Sequence, residues 1–515
     1  MNFSKRNKYA LIGLLIILGI VIRVPSVPHE IGVDSFTIHI LANSVSTFGE
    51  AKWWIHPLSI GGFYPCSYAS AVPFILSGIS QCTDVDMERV IWIFCLIIGL
   101  LSAATAYTMV GQIKNDDFFK FLVAFGYSLS PALLVFTWDA STRGLFIVLL
   151  PLFIYLLLKT RTSLKYVPLT FILFMVLIVT HHYFYLTIPF IFIFIIFLTF
   201  NKFKNHVKFI TISNNFVNII LIIGFLIVLA MPFFTRTLVS GSRYTHLQLL
   251  LENNIRYFGV VIVFSIGGLI YLTLKHDKKF EEWFLLLALL CLSPFMYSLT
   301  YAHFVTPFFG SILAGISLTN IANVAKIDKQ KKKYVFSIII ILLLCSVGFS
   351  GFYQHWRTGA TAINYMSEET YSGALWIKDS INTDKRLVGD GGYDLLSRRI
   401  FAISEVPTLL VEAEDCMLTY GFINITDINI SKNSPLSVAF YMDNPYVSTY
   451  KAGAYRNMLQ SWEINSWWGK RIISKFNLSY VIENEDIEDN TFIRSVHIEK
   501  DNVYDNGKIR VWSLD

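Results

Sequence analysis

Residues 63 to 80 read FYPCSYASAVPFILSGIS, and whether they cross a membrane decides the reading of everything after them. The stretch is apolar, but Pro65, Pro73 and several serines interrupt it. Counted as a span, it inverts the sidedness of every later loop. The distribution of basic residues settles the choice, because an excess of Lys and Arg in short loops marks the cytoplasmic side. With the N-terminus inside and residues 63 to 80 a re-entrant or interfacial helix, the inner loops hold MNFSKRNK, KNDDFFK, KTRTSLK, NKFKNHVK, KHDKKFEE and KIDKQKKKY, 19 basic residues in all. The outer segments before Tyr353 then hold seven: Arg23, Lys52, Arg89, Arg143, Arg236, Arg243 and Arg256. The opposite choice exposes KTRTSLK and NKFKNHVK to the outside.

Working outward, the chain is 54% apolar and only 15% charged over 515 residues, with 43 Phe, so lipid is the expected solvent. Apolar runs long enough to cross a hydrocarbon core recur up to Tyr353 and then stop. We expect about eleven spans, near 9–25, 89–112, 118–136, 144–158, 166–181, 184–200, 215–234, 256–274, 283–299, 304–324 and 334–353. Residues 9–25 resemble a signal sequence, but no small-residue cleavage site follows and Arg23 and Pro25 interrupt the end, so they read as an anchor. The first 353 residues carry 26 basic and 14 acidic groups, the remainder 16 and 22. Residues 354–515 therefore read as an acidic soluble domain outside the cytoplasm, on a multi-pass membrane domain of residues 1–353. No aromatic-interleaved basic stripe points to nucleic acid. The six cysteines show no metal-ligand spacing; Cys95, Cys291 and Cys345 read as packing residues, and Cys66 and Cys82 share a loop in which a disulfide is one option.

Ionisable groups at membrane boundaries are informative because burying them in hydrocarbon is costly. Here they gather outside: Glu30, Asp34, Glu50, Asp84, Asp86, Glu88, Asp139 and Glu252, with His29, His39, His56, His181, His182, His246 and His303 at the same boundary. A proton- or ion-coupled transporter would place acids near the midplane on broken, repeated helices, and neither feature is found. The first outer loop, about residues 26 to 88, is long enough to suggest function. Within it Ser35 to Thr47 reads as a short interfacial helix carrying His39 on a turn near Asp34, and Trp53 and Trp54 fit a membrane-interface belt.

Three segments carry a family resemblance: HEIGVDSFTIHI (29–40), WDASTRG (138–144) and EETYSGALWIKDSINTDKRLVGDGGY (368–393). The chain resembles the GT-C integral-membrane glycosyltransferases, in particular the oligosaccharyltransferase catalytic subunit and its archaeal and bacterial relatives. The fold so implied is an all-α polytopic domain of about 11 transmembrane helices, with the re-entrant helix in the first outer loop, plus a C-terminal extracytoplasmic α/β domain. The resemblance implies a catalytic or metal-binding Asp in the first outer loop, matched by Asp34 before GGFYPCSYASAVPF, and a further acid in the next outer loop, matched by Asp139. The family's Trp-Trp-Asp-Tyr-Gly element falls on Val388 to Gly392, so both tryptophans are missing; Trp467 and Trp468 stand too late to replace them. Those tryptophans help read the acceptor sequon, so the departure puts transfer to protein asparagine in doubt.

The chemistry implied is displacement of a phosphate at an anomeric carbon, which needs a carboxylate and a cation. Asp34 and Asp139 are candidates to deprotonate the acceptor or to hold Mg²⁺ or Mn²⁺. Arg143, Arg236 and Arg243, with His181 and His182 behind them, are candidates for the donor phosphate, because guanidinium binds phosphate oxygens in pairs. His39 and Glu252 are further candidate substrate contacts. Each has a plainer reading: Asp34 a helix N-cap, Asp139 and Arg143 an i,i+4 helix pair, His181 and His182 an interfacial break between spans, Arg236 and Arg243 a solvated turn, Glu252 surface, Asp390 a strand-ending turn.

The tail reads as α/β, with a helix in GALWIKDSI, strands in RLVGD and LSYVIEN, and a hairpin about Asn506 and Gly507; Asn424, Asn429 and Asn477 lie in N-x-S/T sequons. The expected function is transfer of a sugar or glycan from a polyprenyl or dolichyl phosphate or pyrophosphate donor to a glycan, lipid or protein acceptor on the outer face. The alternative is a non-catalytic glycolipid transporter or an envelope-glycan-binding scaffold.

Overall fold

The computed structural model describes residues 4–514 except 65, 67–69, 207–213, 235–247, 249–251, 253–254, 295–301, 325–328, 360–364, 390–394, 412, 435–445 and 485–489. Helix is present in each of the eleven expected stretches. Among the described residues six helical segments are long and apolar enough to cross a membrane: Met87–Val110, Thr142–Thr160, His182–Thr199, Phe216–Phe233, Val305–Val324 and Lys333–Tyr353. Their surroundings differ. The Val305–Val324 span is 83% buried and forms the middle of the bundle, while Phe216–Phe233 and Lys333–Tyr353 are each 17% buried and turn Ile219, Ile227, Ile341 and Leu344 outward, as lipid-facing helices do.

The elements that position the site come early. Helix α1 is Lys5–Val21, α2 Val33–Phe48, α3 Ala71–Thr83 and α4 Met87–Val110. The expected span at 118–136 is broken into α5 (Asp117–Ser128) and α6 (Pro131–Phe136). Ser130 accepts a hydrogen bond from the Leu133 amide and Pro131 occupies the first turn, the residue types that open a new helix, so the sequence held the break in its Ser-Pro pair. Helix α7 is Thr142–Thr160, α8 Tyr166–Thr180 and α9 Thr187–His206, with a 3₁₀ turn at His182–Leu186 between the last two.

The helix that residues 63 to 80 enter, α3, runs on to Thr83 and has 13 residues, about 20 Å at 1.5 Å per residue, which is short of a hydrocarbon core about 30 Å thick. It packs along α2, with Ser46 Oγ and Ser77 Oγ 2.8 Å apart. Helix α2 is amphipathic in neither direction: residues 35 to 45 are all buried, because α3 and α4 cover one side and the tail covers the other.

In the tail, α10 (Glu368–Ser380) and α11 (Leu395–Ser404) flank a mixed five-stranded sheet of order β2-β1-β5-β7-β6. Strands β1 (Leu387–Gly389), β2 (Thr408–Leu409) and β5 (Tyr480–Asn484) run parallel, while β6 (Asn502–Asp505) and β7 (Ile509–Ser513) form the hairpin, with Gly507 at φ +84° in its turn. Strands β3 (Ile428–Lys432) and β4 (Tyr446–Tyr450) make a separate antiparallel pair.

Phe36, Ile40, Leu41, Val45 and Trp53 of the first loop belong to the same apolar core as Ile400, Phe401 and Val481 of the tail. Trp53 is fully buried there, which corrects its assignment to an interface belt; Trp54 is partly exposed and stacks on Phe74. The loop and the tail are further tied by an Ile31–Tyr365 bridge and by hydrogen bonds from Asn43 Nδ2 to Ala402 O (2.9 Å) and from Met366 N to Glu30 O (3.3 Å). A tail that shares a core with this loop lies on the same side of the membrane as the loop. Cys66 and Cys82 are both free thiols, Cys66 buried and Cys82 exposed, so the disulfide option is not taken.

Candidate active site

Asp34 is in the first turn of α2, but it is not the cap; Gly32 is, at φ +93° and ψ 133°. That conformation suits glycine, and so does the space: a Cβ at Gly32 would fall 2.6 Å from Asp139 Oδ2 and 2.7 Å from Asp139 Cβ. The start of α2 and the Asp139 carboxylate are thus in direct contact, and the two acids named from the sequence are brought together.

Asp139 lies outside the helix, in the loop before α7, so the i,i+4 helix-pair reading fails for it. Its loop is fastened on both sides. Trp138 Nε1 donates to Arg23 O (3.2 Å), and Ala140 N donates to Ser35 Oγ (3.2 Å). Arg23 is itself buried, donating from Nε to Thr137 Oγ1 (2.9 Å), from Nη1 to Gly19 O (3.1 Å) and from Nη2 to Ser128 O (2.8 Å). Gly144 completes the fit, since a Cβ there would meet Phe136 O at 2.0 Å. The WDASTRG segment is therefore a rigid elbow wedged between the end of α1 and the start of α2.

Arg143, in the first turn of α7, points back across this gap, with Nη2 3.3 Å from Asp34 Oδ2 and both side chains partly exposed. Two helix N-termini, those of α2 and α7, meet here. Unpaired amides and the aligned peptide dipoles make such ends favourable for anions, which adds to the Arg143 charge.

His181 is the buried C-cap of α8, accepts from Tyr183 N (3.1 Å) and has its ring 6.5 Å from Phe146, one turn along α7 from Arg143. The His182 ring lies 4.0 Å from it at a tilt of 39°, and a Cβ added at Gly62 of the first loop would be 3.7 Å from the His182 Cβ. Both histidines thus lie at the α7 edge of the site. His39 is buried within α2 with Nδ1 2.6 Å from Glu30 Oε2, inside the junction of loop and tail. Glu252 is exposed and acts electrostatically on Arg256. Arg236 and Arg243, and Asp390 with its neighbouring glycines, lie outside the described residues.

Sequence reasoning missed the tail's contribution. Arg398 on α11 donates from Nη1 to Thr37 Oγ1 (2.7 Å), one turn below Asp34, and Arg399 lies over the Phe36 ring. Burial pulls Arg399 down to about 10, which leaves it charged at neutral pH. His29, named from the sequence only among the boundary histidines, bridges the membrane part and the tail, with Nδ1 3.2 Å from Glu88 and Nε2 2.9 Å from Glu368. A basic pair in a tail helix gives no local cue to a contact some 360 residues away; His29, within the quoted HEIGVDSFTIHI, was in view.

No protein-family model and no curated protein matches the sequence. Solved structures do match in three dimensions. An Archaeoglobus fulgidus oligosaccharyltransferase carrying a tethered acceptor peptide superposes with a TM-score of 0.58 at 10% identity, over 94% of this chain and 69% of that one. ArnT from Cupriavidus metallidurans bound to undecaprenyl phosphate gives 0.55 at 10% identity over 99% and 98%, and the mycobacterial arabinofuranosyltransferase AftD 0.54 at 11% over 100% and 42%. This is the fold of the GT-C glycosyltransferases. At these identities the likeness establishes the fold, and the GT-C fold accounts for the predominantly helical membrane part with its small C-terminal sheet.

Proposed function

We propose that this chain is an inverting membrane glycosyltransferase that takes a sugar from a polyprenyl phosphate or pyrophosphate carrier on the outer face of the membrane. The observation that supports this best is the convergence of Asp34, Asp139 and Arg143 where two helix N-termini meet, beside the junction of membrane part and tail. A neutral pocket would serve a carrier or scaffold; a paired carboxylate and guanidinium at an anion-attracting helix end serves a reaction that releases phosphate.

In the proposed reaction the acceptor oxygen or nitrogen forms a bond to the anomeric carbon as the bond from that carbon to the phosphate oxygen breaks. The bonding electrons leave with the polyprenyl phosphate or pyrophosphate, and the acceptor's proton passes to a carboxylate. Asp34 and Asp139 are the candidate bases. Arg143 and the amides opening α2 and α7 stabilise the departing phosphate, with His181 and His182 at the edge of the same site. Among the described residues no three His, Cys, Asp or Glu side chains converge as a closed metal cage. Two carboxylates nevertheless suit Mg²⁺ or Mn²⁺, ions that keep waters and take substrate phosphate as a ligand. Asp34 and Asp139 would hold such an ion, which would neutralise phosphate charge.

The test uses full-length purified protein and a panel of polyprenyl-linked sugars. Donor consumption with release of the polyprenyl phosphate, abolished in Asp34→Asn at unchanged expression, is the expected result. Intact protein that consumes no donor, but moves labelled glycolipid across a vesicle with its sugar attached, would instead identify a transporter.

A further inference from the structure

Two cavities adjoin the site on the tail side of α2. One, of about 440 Å³, has Pro25, Ile91, Trp92, Trp138, Tyr371 and Glu30 among its walls. The other, of about 420 Å³, is more polar, with His39, Asp84, Lys378 and Glu405 among its walls. They share Asp86, Glu88 and Tyr371, so together they form one cleft between the membrane part and the tail. Ser35 and Trp138 line the first cavity and are the chain neighbours of Asp34 and Asp139.

The charges in this cleft are largely compensated from within the protein. Asp86 caps α4 through the Arg89 amide (3.1 Å) and pairs with the Arg89 guanidinium (3.2 Å). Glu88 takes His29 (3.2 Å) and the Glu30 amide (2.8 Å), and Glu405 pairs with Lys378 (2.5 Å). A strongly charged ligand is therefore not called for. What is left is a mixture of donors and acceptors, flat aromatic faces at Trp92, Trp138 and Tyr371, and one unmet need. Glu30, 7% exposed, has its Oε1 buried with no hydrogen-bond partner among the described residues, although its Oε2 is held by His39. A buried carboxylate oxygen without a donor is costly, and a ligand hydroxyl removes that cost. The apolar walls at Pro25, Ile91 and Trp92, with Trp92 40% exposed, suit the lipid end of the same ligand.

We propose that this cleft is the acceptor subsite and that the acceptor is the saccharide of a glycolipid, attacking through a sugar hydroxyl. The proposal rests on the glycosyltransferase reading and narrows its acceptor.

The probes are octyl β-glucoside, octyl β-galactoside and octyl β-mannoside, against an Asn-x-Thr peptide, each with a consumed donor. Transfer to at least one octyl glycoside is expected. Tyr371→Ala should raise the KM for that acceptor tenfold or more while kcat falls less than threefold, and Arg89→Gln, at an exposed side chain, should shift KM in the same direction by less. Transfer to the peptide alone, or an acceptor KM unmoved in both variants, overturns the proposal. If no donor is consumed, a diazirine-bearing octyl glycoside still decides the matter. Labelling of peptides containing Trp92, Trp138 or Tyr371, competed by octyl glycoside, supports the subsite; labelling elsewhere overturns it and leaves the fate of the enzyme reading to the donor assay.

Discussion

Replacing Gly32 by alanine is the sharpest perturbation the geometry offers. The added Cβ would sit 2.6 Å from Asp139 Oδ2 and 2.7 Å from its Cβ, where ordinary contact needs about 3.5 Å between carbons. One of the two must move by roughly 0.8 to 1 Å. The Trp138 and Ala140 hydrogen bonds hold the flanks of Asp139, and the buried length of α2 holds the other side, so the strain falls on the carboxylate. The φ of +93° adds roughly 1–3 kcal/mol of backbone strain for a residue with a Cβ. A displacement of about 1 Å at a reacting group can cost on the order of 10²-fold in rate. The expected result is a fall in kcat of that order in a donor-consumption assay, with thermal unfolding lowered but the protein still monodisperse in detergent. Gly32→Ala with wild-type kcat and an undisturbed fold would refute the placement of Asp139 against α2 as a catalytic arrangement.

Arg143→Met should cost at least tenfold in kcat/KM for the donor, and Arg143→Lys should recover only part, because a lysine cannot pair with two phosphate oxygens at once; equal activity of all three proteins would remove Arg143 from phosphate binding. Asp415, on the short helix Glu414–Thr419 of the tail, has its carboxyl pushed up to about 7 by burial and then by Glu414 beside it. Its folded pKa lies above its unfolded one, so the folded state holds an extra proton between about pH 4 and 7 and stability falls as pH rises through that window. Asp415→Asn should flatten this fall in thermal unfolding at pH 4.5, 6 and 8; an unchanged slope would contradict the assignment.

What the sequence disclosed and what it hid follow from the range of the interactions. Spans announce themselves through long apolar runs, and the tail's hairpin through Asp-Asn-Gly, because both are local signals. Asp34 and Asp139 were legible as acids at one boundary, but their contact runs through Gly32, whose spatial neighbour 107 residues on leaves no mark nearby. The break between α5 and α6 was signalled by Ser130 and Pro131 and overridden by the apolar run around them. Trp53 resembled a belt residue because composition alone cannot tell a bilayer interface from the core of a domain lying on it. Arg23 was counted as a topological charge, whereas its three hydrogen bonds make it the fastening of the Asp139 loop.

The placement of both acids on the outer side, with the tail, is best tested by single cysteines in an otherwise cysteine-free chain, labelled in intact cells with a membrane-impermeant maleimide. Replacements of Arg161 and Lys202 should label only after permeabilisation, while replacements of His56 and Lys451 should label at once. Immediate labelling at 161 and 202 would put KTRTSLK and NKFKNHVK outside, make residues 63 to 80 a true crossing, and contradict the account.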